Sequence, residues 1–129
     1  PAAELHVLSV VPVNAIASEL EYPTSAAAGT PLMFPDMDSY ERVITSARKN
    51  AEEELREGLG DALDDVDCHV KMSVYVSSKV AEGIVEYAED NGIEIIVMGR
   101  RGLGALRGML GSVSYAVLHQ ADIPVLTVK

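Results

Sequence analysis

Two short apolar runs stand out along the chain because neither shows a strict alternation of apolar and polar residues. The first, Leu5–Val11, ends at Pro12, and the second, Ile93–Met98, leads directly into Gly99. Strands of a parallel sheet are covered by helices and therefore tend to be apolar on both faces. Both runs thus predict strands of a parallel sheet that are covered on both sides.

The segment that follows residue 35 has the apolar spacing of an amphipathic helix. Asp36 or Asp38 is suited to cap its start, and Gly58 and Gly60 are suited to end it. Its apolar positions recur on one face: Tyr40, Val43, Ile44, Ala47, Ala51 and Leu55. This pattern predicts a long helix with one buried face.

A strand and a second helix follow. Apolar and polar residues alternate from Cys68 to Val76, which predicts a half-buried strand. Ser77 or Ser78 is a suitable N-cap for the next helix, and Asn91-Gly92 is a fitting end. The apolar positions of this helix are Val80, Ala81, Ile84, Val85 and Ala88.

The last elements are a short helix over Ser112–Gln120 and a strand over Val125–Val128. Residues 14–35 contain several prolines and an alanine run, and we interpret them as a surface excursion. Strands therefore alternate with helices, which predicts an α/β fold, an open parallel sheet with helices on both faces. The length of 129 residues suits one domain spanning residues 1–129.

The composition of the chain limits the classes of binding partner and the cellular setting that we expect. The chain has 20 acidic and 10 basic residues, a formal net charge of −10, which disfavours binding to nucleic acid or to an anionic membrane. No apolar run approaches the roughly 20 residues that span a bilayer. The lone Cys68 permits neither an internal disulfide nor a cysteine metal cluster, so we expect a reduced, cytoplasmic setting.

The candidate chemistry lies in the glycine-rich segment Gly99–Ser114. It begins where a buried strand ends, the place where open α/β sheets bind ligands, and it leads into a helix whose first amides favour anions. Ser112 and Ser114 add hydroxyl groups, and the segment holds Arg100, Arg101 and Arg107 but no acid. The pattern favours phosphate binding, although the glycines could instead form a turn with solvated arginines. It matches neither the Walker A spacing nor a dinucleotide fingerprint.

The segment IIVMGRRGLGALRGMLGSVSYAVLHQADIPVLTVK, Ile95–Lys129, closely resembles the C-terminal half of the universal stress protein family, and the whole chain resembles it more weakly. The family motif is Gly, two residues, Gly, nine residues, then Gly-Ser or Gly-Thr. Gly99, Gly102 and Gly111-Ser112 fit this motif, with eight residues in place of nine. The resemblance implies a Rossmann-like fold of the adenine nucleotide alpha-hydrolase-like type.

The resemblance also implies ATP as the ligand, with Mg²⁺ or Mn²⁺ on its phosphates and no metal site made by the protein itself. Gly99 and Gly102 would line the ribose and phosphates, and Val10 and Met98 would contact the base or sugar. Of the three arginines, Arg101 is the one we expect among the nucleotide-binding residues. The residues expected to hold the triphosphate are Gly111, Ser112, Val113 and Ser114. The family further implies a homodimer formed through Val125–Val128.

One departure from the family concerns the start of the chain. The opening strand resembles the family's second strand, and the first strand, its adenine-contacting Asp and the first helix have no counterpart here. We therefore expect that the sequence is an incomplete version of a longer protein, or that another copy supplies the strand. Without that Asp, we expect nucleotide affinity to be weak or absent.

These observations favour an ATP-binding, dimeric stress-response regulator. Two alternatives remain: a nucleotide-free dimeric scaffold and a slow ATP hydrolase. Catalysis has no identified agent, because the loop offers no general base and the chain no nucleophile–base pair. Retention of nucleotide through purification would separate the regulator from the scaffold.

Overall fold

The elements of the fold follow the predicted alternation of strands and helices. The computed structural model describes residues 3–13, 37–100 and 110–129. Its elements in chain order are β1 (Glu4–Pro12), α1 (Met37–Leu59), β2 (His69–Ser77), α2 (Val80–Asp90), β3 (Ile96–Gly99), α3 (Ser112–Gln120) and β4 (Val125–Val128). They belong to two compact units, Pro1–Val76 and Ser77–Lys129, called here the first and second unit.

The first unit consists of the two-stranded sheet β1–β2 and helix α1, which packs against β1. The predicted apolar face of α1 is its least exposed face, and Ala47 on that face is buried. Asp38 lies inside the first turn and is not the N-cap, while Asp36 lies outside the described residues. Gly60 has a φ of 50° and its N–H donates to the Arg56 carbonyl at 3.0 Å, which ends the helix as predicted.

The second unit is a β–α–β arrangement with α2 and α3 packed against each other. Strands β3 and β4 are parallel, with Ile96 opposite Val125 and Gly99 opposite Val128, so the predicted parallel pairing is confirmed. The core of this unit is formed by Ala81, Ala88, Ile96 and Val117, of which Val117 is fully buried. The α/β class is therefore confirmed, and the bounds predicted for α3 and β4 match the structure.

Alternating residues of β3 and β4 have different surroundings. Met98 and Val125 pack against the core, whereas Val97 is 60% exposed and Leu126 is 53% exposed. Within the second unit taken by itself, helices therefore cover one face of the strand that enters Gly99. Helices α2 and α3 pack on the face that carries Ile96 and Met98, and the other face is exposed.

The start of α2 differs from the prediction. Its N-cap is Lys79, in an extended conformation and without a side-chain cap hydrogen bond, so neither Ser77 nor Ser78 caps the helix. Ser77 instead belongs to β2. The strand continues to Ser77, and the helix consequently begins one residue later than a Ser78 cap would place it and two residues later than a Ser77 cap would.

The end of α2 is a Schellman motif. Gly92 has a φ of 63°, its N–H donates to the Glu89 carbonyl at 3.3 Å, and the Ile93 N–H donates to the Ala88 carbonyl at 2.9 Å. The predicted Asn91-Gly92 ending is therefore confirmed. Because this turn uses Ile93, strand β3 begins only at Ile96, three residues later than predicted.

None of the helices in the described part of the chain is long and apolar enough to cross a bilayer. The longest of them, α1, spans 23 residues and carries charged side chains on its exposed side. The described helices are thus amphipathic, or short and partly buried.

Two glycines give opposite expectations for stability. Gly92→Ala places a side chain at positive φ and should destabilise the protein by about 1 kcal/mol. Gly58→Ala, inside α1 with no atom within 4 Å of the new Cβ, should stabilise it by about 0.5 kcal/mol. Urea denaturation followed by circular dichroism measures both changes. A Gly92→Ala protein as stable as the wild type would contradict the left-handed turn.

Candidate functional site

The glycine-rich loop leaves and re-enters the second unit at one point. The Arg100 N–H donates to the Val128 carbonyl at 2.8 Å, which continues the pairing of β3 with β4 beyond Gly99. The Arg100 carbonyl accepts a hydrogen bond of 2.8 Å from the Gly111 N–H. Arg100 thus holds together the end of β4 and both ends of the loop.

The first turn of α3 is fixed to the end of β3 by Ser114. This residue is 3% exposed, and its hydroxyl donates to the Gly99 carbonyl over 2.7 Å. Because that proton is already used, the Ser114 hydroxyl is not a free donor for a ligand in this arrangement. Ser112 is exposed at the first position of the helix, and its hydroxyl is accessible.

The start of α3 has the properties of an anion site. Gly111 is the N-cap, with φ −66° and ψ 156°, and contributes no side-chain acceptor. The Tyr115 N–H donates to the Gly111 carbonyl at 2.9 Å. The amides of Ser112, Val113 and Ser114 precede this bond and have no acceptor within the helix. The first turn contains no acidic residue, so the positive end of the helix dipole is uncompensated there.

Arg100, whose backbone carbonyl accepts from the N-cap Gly111, also carries a buried side-chain donor. Its Nε is buried and has no hydrogen-bond partner among the described residues. A guanidinium is always charged, and leaving a buried donor unpaired is costly, so an anion's oxygen would satisfy it. The sequence prediction named Arg101 as the site residue and counted Arg100 only as local charge. Nothing in the spacing of the two arginines distinguishes them.

The other predicted residues lie in different places. Met98 and Val113 pack with their side chains against the core around Val117, so Val113 would act only through its backbone amide. Val10 is half-buried in β1 of the first unit. Arg101 and Gly102 lie outside the described residues.

The bond from Ser114 to Gly99 and the bond from Gly111 to Arg100 thus bring the predicted residue Gly99 together with the predicted residues Gly111–Ser114, the N-cap and first turn of α3. Their contacts assemble backbone amides and one hydroxyl, not a set of metal ligands. Within residues 3–13, 37–100 and 110–129, no cluster of three or more His, Cys, Asp or Glu side chains could hold a metal ion.

Parallel strands, a connecting helix and a glycine-rich junction between strand and helix define an α/β protein of the Rossmann-like class. The chain belongs to the universal stress protein family, whose family model matches residues 1–129. Membership in this family supports a role in stress response.

Three relatives illustrate the similarity. Universal stress protein MJ0577 of Methanocaldococcus jannaschii is 38% identical over 87 residues, which cover 67% of this chain and 51% of that protein. Universal stress protein YxiE of Bacillus subtilis is 38% identical over 58 residues, 44% of this chain and 39% of its own length. Universal stress protein Slr1230 of Synechocystis is 31% identical over 91 residues, 67% of this chain and 31% of its own.

The solved structure of MJ0577, described as a hypothetical protein whose biochemical function was assigned from its structure, is similar to the whole of this chain. The TM-score is 0.65 and the sequence identity 31%, with 100% of this chain and 77% of that chain covered. Among the curated relatives, the matched region spans about half of the protein or less.

The bond between Ser114 and Gly99 gives a testable expectation. Ser114→Ala removes a buried hydrogen bond and should lower the free energy of unfolding by about 1 kcal/mol. Ser112→Ala, at an exposed position two residues earlier, should change it by less than about 0.5 kcal/mol. Chemical denaturation of both variants checks the difference. Equal stability of the two would show that the Ser114 bond does not anchor the helix.

Proposed function

We propose that the chain is an ATP-binding regulatory module of the stress response, acting in the cytoplasm as a dimer whose partner choice depends on bound nucleotide. Two observations support it best: the amides at the start of α3 have no acceptor within the helix, and the Nε of Arg100, the residue whose carbonyl bonds to the N-cap Gly111, is unpaired among the described residues. The amides and the Nε are donors, and both belong to residues at the ends of the glycine-rich loop.

In this proposal the triphosphate lies over the first turn of α3. The amides of Ser112, Val113 and Ser114 donate to phosphate oxygens, and Arg100 adds a charged donor. Each bond to a charged oxygen would contribute ~1.5–3 kcal/mol. The bond from the Ser114 hydroxyl to Gly99 holds the helix start in place, so its amides are oriented before the ligand arrives.

A divalent cation fits this arrangement only as a companion of the nucleotide. The amides and the guanidinium are donors, and neither group can coordinate a cation. We propose that Mg²⁺ or Mn²⁺ is held by phosphate oxygens and water, as Mg²⁺ in nucleotide sites usually is. When bound, the ion neutralises part of the phosphate charge.

The acidic net charge of −10 does not prevent such a site. At physiological salt, electrostatic fields fade over about 8 Å, so distant carboxylates contribute little at the loop. Within Gly99–Ser114 the sequence has three arginines and no acid. The local potential experienced by a phosphate group is therefore set by these arginines and by the helix dipole.

Gly111→Val tests the proposal. The backbone angles of Gly111 are common for valine, so the fold should persist, but the branched side chain would project where phosphate oxygens approach the amides. We expect the wild type to bind MgATP and the variant to lose detectable binding in isothermal titration calorimetry. Unchanged affinity in a folded Gly111→Val protein would contradict the site.

A matched pair of arginine variants isolates the contribution of Arg100. Arg100→Met should weaken MgATP binding about tenfold or more, because it removes a charged donor. Arg42→Met serves as the control, since Arg42 is exposed in α1 and its Nε donates to the Asp38 carbonyl at 3.3 Å. Equal effects of both variants would indicate loss of overall charge and not of a specific contact.

A second candidate function, a nucleotide-free dimeric scaffold, is favoured by the exposed apolar residues of β4. Leu126 is 53% and Val128 49% exposed. The carbonyls of Pro124 and Val128 accept bonds from the N–H groups of Ile96 and Arg100. By alternation, the backbone groups of Val125 and Thr127 point to the other edge of β4. No strand among the described residues pairs with that edge. We infer that Val125–Val128 forms the homodimer contact in either function.

Thr127→Pro tests this contact because it removes one outward N–H and leaves the bonds between β3 and β4 intact. The wild type should be a dimer by light scattering after gel filtration, and the variant a monomer. Thr127→Val, which keeps the N–H, is the control and should remain dimeric. A dimer that persists in Thr127→Pro would exclude pairing through this edge.

A further inference from the structure

A cavity lies at the amino end of β3 and β4, the end of the second unit opposite the glycine-rich loop. Its volume is about 260 Å³. Its walls come from the end of α2, the turn before β3 and the segment before β4. The lining residues are Val85, Ala88, Glu89, Gly92, Ile93, Ile96, Ala121, Asp122 and Ile123.

The shape of this cavity follows from the Schellman motif that ends α2. The motif turns the chain at Gly92 and brings Ile93 back beside Ala88, while Ala121 ends α3 on the other side. Small side chains at positions 88 and 121 do not fill the space between the helix ends. The interior is thus formed by apolar groups continuous with the core around Ile96.

The two polar side chains of the cavity are both carboxylates, Glu89 and Asp122, and both are exposed at its rim. Neither forms an ion pair among the described residues. The last turn of α2 contains no basic residue, so the negative end of its dipole adds to the same potential. The cavity therefore combines an apolar interior with a rim whose two charged lining side chains are both acidic.

This combination selects one class of ligand. An anion is repelled by the rim, and a divalent cation would need more oxygen ligands than two carboxylates on an apolar surface provide. An engineered apolar cavity of about 150 Å³ binds benzene, so 260 Å³ accommodates a phenyl group with a short chain. From the charge and the lining, we propose that this cavity binds a small amphiphilic amine, its apolar part inside and its ammonium between Glu89 and Asp122.

The proposal is independent of nucleotide binding, because no lining residue belongs to Gly99–Ser114. It is tested with phenethylammonium as the probe in a titration of the ¹⁵N-labelled protein at fixed ionic strength, followed by amide NMR shifts. We expect saturable shifts at Gly92, Ile93 and Asp122. The anion 3-phenylpropionate, with a similar apolar part, should produce none at the same concentration.

Charge variants separate the specific site from general attraction to an acidic protein. Glu89→Gln combined with Asp122→Asn should weaken phenethylammonium binding at least about fivefold. The pair Asp61→Asn with Asp64→Asn, two exposed acids outside the cavity, is the control and should leave the affinity unchanged. The neutral 2-phenylethanol should bind more weakly than the amine and be insensitive to the charge variants.

Three results would overturn the inference. The first is the absence of saturable shifts at the cavity amides with phenethylammonium. The second is an equal response to ammonium chloride, which would indicate general attraction of cations. The third is equal affinity for 2-phenylethanol and phenethylammonium, because the carboxylates would then contribute nothing to recognition.

Discussion

The hydrogen bond from the Ser114 hydroxyl to the Gly99 carbonyl is the contact on which the arrangement of the candidate site depends. At 2.7 Å and almost fully buried, it fixes the first turn of α3 against the end of β3. The two bonds of Arg100 then bring both ends of the loop to the same place. These contacts orient the helix amides.

The topology of the second unit explains why its two ends differ in charge. A helix that connects parallel strands runs opposite to them, so helices begin at the carboxyl end of the sheet and end at its amino end. The start of α3 and Arg100 therefore lie at one end, and the end of α2 with Glu89 and Asp122 lies at the other. Donors gather at the first end and carboxylates at the second, and each proposed ligand has the complementary charge.

Sequence reasoning succeeded where one local pattern determined the structure. Helix α3 and strand β4 were predicted with the observed bounds, and Gly92 ends α2 because only glycine adopts its φ of 63° readily. It failed where tertiary contacts decided. The apolar run from Ile93 looked like a strand, yet Ile93 is used in the turn after α2.

The roles of individual side chains at the site were harder to predict from the sequence than the bounds of the helices and strands. Ser112 and Ser114 are equivalent as hydroxyl donors by spacing, and only packing shows that Ser114 is buried on Gly99. Likewise, Arg100 and Arg101 are adjacent and chemically identical, so the buried Nε of Arg100 could be recognised only in three dimensions.

One backbone bond connects the proposed nucleotide site with the proposed dimer contact. The Val128 carbonyl, in the last residue of β4, accepts a hydrogen bond from the Arg100 N–H. The carbonyl of Arg100 in turn accepts a hydrogen bond from the Gly111 N–H. A ligand that draws Arg100 or Gly111 toward its phosphates acts on the bond that aligns the end of β4. A partner paired with the outer edge of β4 would act on the position of the same strand. Because linkage is reciprocal, a nucleotide that favours one position of β4 would favour the dimer that fits it, and the dimer would in turn favour the nucleotide.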